Sequence, residues 1–301
     1  SKPRPKQPSK ETKEALNTLL EPYKGTSLPS SARLDPTVPT RQPTKMTFGN
    51  AWRYVPFLVN QGVSIGTALA SHAIYGPPKK SWGIEMSVFT KMLRDCAAYS
   101  EFATIAGLQQ FFDLGSFLPV PSDGLITPVT FRVKKRGLKG FLAEADAQED
   151  GKRELTGEWV VGKQTWRRLQ AEWRNKQEKG RERVILYFHG GAYFIMSAAT
   201  HRPLTIALSK YTDCRVFGIN YRLAPDTKFP GALHDCVSSY FRMVDELGIP
   251  PSNIVLGADS AGGGLAMATL LYLRDNGYPL PSGAMLFSVS TQILKSFPFL
   301  L

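Results

Sequence analysis

The sequence predicts an α/β chain: a doubly wound, mostly parallel sheet with helices on both faces. Three observations carry that expectation. From residue 183 onward, short apolar runs alternate with longer segments of helical spacing. The runs are nearly continuous rather than alternating, as strands buried on both faces require. Glycines, Gly248 and Gly277, close two of the helical segments. Such alternation implies right-handed crossovers and parallel neighbours.

Taken in order, residues 1–45 are rich in Pro, Lys, Ser and Thr, a composition that cannot offset the entropy of ordering, and a disordered basic tail is expected. Residues 1–47 hold no apolar core of a cleavable signal peptide. Residues 46–125 read as a helical region. Its most apolar stretch, "YVPFLVNQGVSIGTALASHAIYG", is interrupted by Asn60, Gln61, Ser64, Ser71 and His72. A buried or membrane-apposed helix is therefore expected rather than a spanning one. "SVFTKMLRDCAAYS" has helical spacing at Val88, Met92 and Leu93.

"SDGLITPVTFRVKKR" alternates like strands, with a break expected at Pro128. "KQTWRRLQAEWRNKQEKG" reads as a basic helix ended by Gly180. Its Trp166, Leu169 and Trp173 fall on one face, with Trp159 seven residues earlier. The expectation is a helix docked on the core by its tryptophans; a membrane-surface helix is the alternative. Then follow strand "RVILYFHGG", helix "HRPLTIALSKYT", strand "CRVFGINY", helix "GALHDCVSSYFRMVDELG", strand "SNIVLGA", helix "SAGGGLAMATLLYLRDNG" and strand "GAMLFS".

Charge and cysteine content exclude several function classes. The net charge is +12, concentrated in residues 1–45 (9 basic, 4 acidic) and 132–183 (15 basic, 9 acidic). The positives are interleaved with acids instead of gathered on one folded face, so no nucleic acid is expected as a partner. Cys96, Cys214 and Cys236 are odd in number and widely spaced. They indicate neither a zinc site nor a disulfide framework, and read as small hydrophobes of a reducing, intracellular compartment. No cofactor and no metal is expected.

Two motifs carry chemistry. In "LGADSAGGGLA", Ser260 falls at the turn between a strand and a helix. A serine there is lifted above the carboxyl end of the sheet, and the N–H of Ala261 points into the same space: a nucleophile elbow. Ala258 occupies the position usually held by the first glycine. The helix lacks the Lys-Ser/Thr pair of a P-loop, and no Gly-x-Gly-x-x-Gly is present. In "FHGGAYF", consecutive glycines leave backbone N–H groups unshielded, able to meet an oxygen that turns negative when a carbonyl is attacked.

The stretches "HGGAYF", "NYRLAPDTKFPGALHD" and "ADSAGGGLA" resemble, in order and across roughly residues 183–288, the hormone-sensitive-lipase-like branch of the α/β-hydrolases, with its arylacetamide-deacetylase-like esterases and steryl-acetyl hydrolases. Departures are Ala258 and Gly264, where the family often has Asn. The resemblance implies the α/β-hydrolase fold and a carboxylic-ester hydrolase working through an acyl-enzyme. It implies Ser260 as nucleophile, with Gly190, Gly191 and Ala261 as oxyanion donors. His189 and Asp259 would orient the site, His189 without acting as base. Arg222, Asp226 and Asp235 would buttress the turn between strand and helix. Residues 46–125 would be a cap, and residues 126–301 the hydrolase core. The partner implied is a small-molecule or lipid ester; membrane-surface contact and oligomeric state stay open.

A serine needs a histidine to take its proton and a carboxylate to hold that histidine, and in this fold the order is Ser, Asp or Glu, His. Beyond Ser260 the chain holds one acid, Asp275, and no histidine. Asp275 ends the helix that Ser260 begins, roughly 20 Å away at 1.5 Å per residue, too far for the triad acid. The histidines are His72, His189, His201 and His234, of which His201 and His234 are expected to cap or pack helices. The expectation is a sequence incomplete at its C-terminal end, inactive or weak as it stands. "GAMLFS" would then be an exposed sheet edge. Val289-Ser290 is what a 5′ splice signal encodes in frame, so residues 289–301 are expected to be translated intron. The alternative is a catalytically silent hydrolase-like protein that binds a ligand, a lipid surface or a partner.

Overall fold

The computed structural model describes residues 55–99, 105, 108, 109, 123–174 and 183–289. The expectations for residues 1–45 and for the tail beyond Val289 lie outside these. The chain divides into two units, Thr40–Leu118 and the remainder.

In the first unit, helices α1 (Val55–Tyr75) and α2 (Ile84–Tyr99) pair through a polar contact: His72 Nδ1 lies 3.0 Å from Ser87 Oγ. Ser87 Oγ also donates to the Gly83 carbonyl, so both polar side chains are satisfied within the pair. Val55, Val59 and Val63 recur every four residues on an exposed stripe of α1. No helix among the described residues is long and apolar enough to cross a membrane.

The second unit is built on six strands: β1 (Gly124–Arg132), β2 (Glu154–Gly162), β3 (Val184–Phe188), β4 (Arg215–Asn220), β5 (Ile254–Asp259) and β6 (Gly283–Phe287). Their order is β1-β2-β4-β3-β5-β6. The first two pairings are antiparallel and the last three parallel. The intervening helices are α3 (Ala143–Ala147), α4 (Lys163–Arg174), α5 (Arg202–Thr212), α6 (Gly231–Phe241, continued by a π-helical turn at Arg242–Glu246) and α7 (Ser260–Asp275). This is the mostly parallel, doubly wound sheet that the alternation predicts.

The continuous apolar runs follow from burial on both faces. On β3, Val184, Leu186 and Phe188 point into one core, shared with Leu233 and Val237 of α6 and Leu265 and Ala266 of α7. Ile185 and Tyr187 point into the opposite core, with Val160, Val216 and Ile206 of α5. A period of two on a strand sends successive side chains to opposite layers, so both sets must be apolar.

Three local expectations are corrected. Pro128 does not break β1: the strand runs through it, opposite Glu158. Among the described strands β1 pairs only with β2, and an edge strand tolerates a residue without an N–H. Helix α4 is not docked by Trp166. Trp166 is 38% exposed, and Thr165, 2% exposed, turns inward with its hydroxyl on the Ser209 carbonyl. The side chain of Trp173 lies outside the described residues. Trp159 is no part of that helix stripe; it sits in β2, against Phe217 and beneath Arg215. Strand β2 itself went unanticipated.

Candidate active site

The turn from β5 into α7 is abrupt. Asp259 is extended, at φ −129° and ψ 151°, and Ser260 is the first helical residue with φ +47°. A positive φ at a non-glycine residue is strained, and such strain persists only where the surroundings impose it. Here they do: a Cβ on Gly262 would lie 2.0 Å from the Phe188 carbonyl oxygen and 2.6 Å from that of His189. The small residue lets α7 start directly against the end of β3. Ala258 is fully buried opposite Phe188 in the parallel register, so alanine fits the first elbow position. Ser260 itself is exposed.

The glycine loop after β3 turns beneath this elbow. The Gly191 carbonyl accepts from the N–H groups of Phe194 and Ile195, both at 3.0 Å, and closes the turn. Gly191 has φ +114°, followed by Ala192 at +50° and Tyr193 at +67°. At Gly191 a Cβ would lie 2.2 Å from the Ile195 carbonyl oxygen, so the loop is built around a missing side chain. Gly190 donates its N–H to Asp259 Oδ1 at 2.9 Å. Among the described residues, the N–H groups of Gly191 and Ala192 meet no acceptor. That of Ala261 lies in the first turn of α7, where no intrahelical partner exists.

His189 is 1% exposed and stacks on Tyr221, ring centroids 4.3 Å apart and planes 12° from parallel. Its Nδ1–H donates to the Gly190 carbonyl at 2.7 Å, and its own carbonyl accepts the Tyr221 hydroxyl at 2.7 Å. Burial drives the proton off this ring, pushing its pKa down to about 4; the Gly190 carbonyl pulls the other way without prevailing. His189 is therefore a neutral brace of the loop.

Asp259 is a hub that sequence reasoning noted without its partners. One oxygen, Oδ1, accepts the Tyr187 hydroxyl at 2.7 Å and the Gly190 N–H, and lies 3.4 Å from His201 Nε2. Burial pushes its carboxyl up, but the His201 hydrogen bond and charge, with the Tyr187 and Gly190 donors, outweigh it and hold it below the usual carboxylate range. His201 was expected to cap or pack a helix. It stands at the start of α5 without a side-chain cap bond, and its ring reaches the elbow instead. Tyr187 and Tyr221 were missed. The only hint in sequence is a tyrosine one residue before the end of β3 and another directly after β4.

Behind the loop, Arg222 grips Asp235 with Nε and Nη2, each 2.8 Å from a carboxylate oxygen, and with its backbone N–H at 2.9 Å. Arg153 adds a bond of 2.8 Å to the same carboxylate. Asp226 is exposed and takes no part. His234 is fully buried, its Nδ1 accepting from Arg153 Nη2 at 3.2 Å. Asp275 is exposed at the far end of α7, paired with Arg274. Among the described residues, no histidine nitrogen hydrogen-bonds Ser260, and no cluster suits a metal ion.

Residues 185–297 match the family described as alpha/beta hydrolase fold. An acetyl-hydrolase of Streptomyces hygroscopicus is 44% identical over 119 residues, 39% of this chain and 39% of that protein. An arylesterase of Saccharolobus solfataricus is 41% identical over 96 residues, 31% of each chain. The esterase LipU of Mycobacterium tuberculosis is 40% identical over 116 residues, 38% of each. The chain thus spans less than two fifths of the length of these relatives. The match to the α/β-hydrolase fold family thus covers residues 185–297, which hold the parallel part of the mixed, mostly parallel sheet.

Proposed function

We propose that this chain carries the nucleophile and oxyanion half of a serine carboxylic-ester hydrolase. The observation that carries the reading is the strained Ser260 at the strand-to-helix turn, set beside backbone N–H groups with no acceptor of their own. Ser260 Oγ attacks the ester carbonyl as it gives up its proton, the carbonyl oxygen takes up negative charge, and collapse expels the alkoxide, which takes up that proton and leaves as the alcohol; water then hydrolyses the acyl-serine to the acid and free Ser260. Gly191 and Ala261 are the proposed oxyanion donors. Ala192 joins them in place of Gly190, whose N–H is already engaged by Asp259. His189 and Asp259 orient the loop. Relatives named acetyl-hydrolase and arylesterase support a small-molecule ester as substrate.

Among the described residues no histidine nitrogen hydrogen-bonds Ser260, so none of His189, His201 or His234 is proposed as the proton acceptor. Loss of the base from such a unit lowers turnover by about 10⁶-fold. A fluorophosphonate probe is expected to label the 301-residue chain slowly, and the Ser260→Ala chain not at all. Equal labelling of both overturns the assignment. p-Nitrophenyl acetate is expected to be hydrolysed barely above background. Robust turnover that vanishes in His189→Ala overturns the role given to His189. The silent-binder alternative requires an unlabelled wild-type chain.

A further inference from the structure

Three donors from separate stretches of chain converge on one oxygen of Asp259: the Tyr187 hydroxyl from β3, the Gly190 N–H from the glycine loop, and His201 Nε2 from the entry to α5. The other nitrogen of His201, Nδ1, lies 3.1 Å from the Ser197 carbonyl and 3.0 Å from Thr200 Oγ1. Thr200 can give its hydroxyl hydrogen to that carbonyl, at 2.7 Å, and then accepts from the ring. The ring thus faces a carbonyl on one side and a carboxylate on the other, and neither has a hydrogen to offer. A hydrogen on Nε2 is what the carboxylate requires of the ring, whichever way the hydrogen beside Nδ1 is shared with Thr200 and Ser197. The neighbouring rings bring no competing charge: His189 is held neutral by burial, and burial pushes the Tyr187 hydroxyl far up. Both partners are largely shielded, the side chains being 11% and 22% exposed, so the contact is less open to competition by water than one at the surface.

We infer that His201, acting through Asp259, is a positioning residue for the oxyanion loop. Its Nε2–H fixes the carboxylate, the carboxylate fixes the Gly190 N–H, and the next two amides, Gly191 and Ala192, are thereby aimed. The inference rests on the hydrolase reading for its purpose, though the coupling itself is a property of the fold. It also accounts for the placement of His201, a largely shielded ring that makes no side-chain cap bond to its helix and no hydrogen bond to Ser260.

The test is hydrogen exchange at the Gly190 amide of the full chain, read by NMR, with Ile206 and Leu208 of α5 as internal standards. His201→Phe keeps the ring volume and removes both ring nitrogens. Gly190 is expected to exchange about tenfold faster or more, while Ile206 and Leu208 change little and fluorophosphonate labelling of Ser260 slows by about tenfold. His201→Gln, which keeps a side-chain N–H donor, is expected to recover most of both. Unchanged exchange at Gly190, equal acceleration at Ile206, or no recovery with Gln overturns the inference. A wild-type chain that leaves Ser260 unlabelled while Gly190 still responds defeats the hydrolase reading and upholds the coupling.

Discussion

Gly262 runs against the end of β3 so closely that a methyl group on its Cα would sit 2.0 Å from the Phe188 carbonyl oxygen. Neither atom can yield without moving a strand or a helix. Gly262→Ala is therefore expected to cost about 3 kcal/mol in urea denaturation, the scale of overpacking against backbone. Gly283→Ala is the control: nothing lies within 4 Å of its Cβ position, and it is expected to be neutral or stabilising by about 0.5 kcal/mol.

The Asp235 carboxylate is fully buried and takes Arg222 on two nitrogens and the backbone, with Arg153 besides. Removing the negative charge leaves two guanidinium groups facing an amide in a dry site. Asp235→Asn is expected to destabilise the chain by about 3–5 kcal/mol, measured by chemical denaturation at neutral pH. Asp226→Asn, at an exposed carboxylate, is expected to stay within about 0.5 kcal/mol.

His189 gives a pH signature. Its pKa in the folded chain, about 4, lies below the value of about 6.5 for an unfolded histidine. The unfolded chain therefore takes up the proton first as the pH falls. The contribution to stability is complete above pH 6.5 and is lost progressively between about 6.5 and 4, up to about 3 kcal/mol. In an NMR titration the His189 ring signal is expected to stay flat from pH 8 to about 5. A midpoint near 6.5 defeats the brace role.

Trp166 faces outward from α4. Trp166→Gln is expected to change the melting free energy by no more than about 0.5 kcal/mol, against about 3–5 for a buried tryptophan truncated in a core. Thr165→Arg, at the position that packs inward and bonds the Ser209 carbonyl, is expected to cost about 3 kcal/mol.

What the sequence made legible is what burial writes locally. Strands β3, β4 and β5 show as apolar runs because cores press on both faces, and the elbow shows because a tight turn demands small residues. Strand β2 hides because Glu158 interrupts it, and that carboxylate is satisfied by Arg202, 44 residues away. Helix α4 misled because its spacing reveals a tryptophan stripe and not which stripe the neighbouring helix covers. The link from His201 to Asp259 has no local signature at all: a histidine before a helix looks like a cap until the chain has folded back over it.

The Gly190–Asp259 bond spans 69 residues of chain. Neither half of the site is held until β3 and β5 lie side by side, and that pairing must wait for the intervening crossovers through β4 to close. Long-range parallel pairing of this kind is slow, since loop-closure entropy is met before contacts reward it. The reactive geometry is therefore a late event in folding: a nascent chain still short of β5 carries the glycine loop without a carboxylate to anchor it.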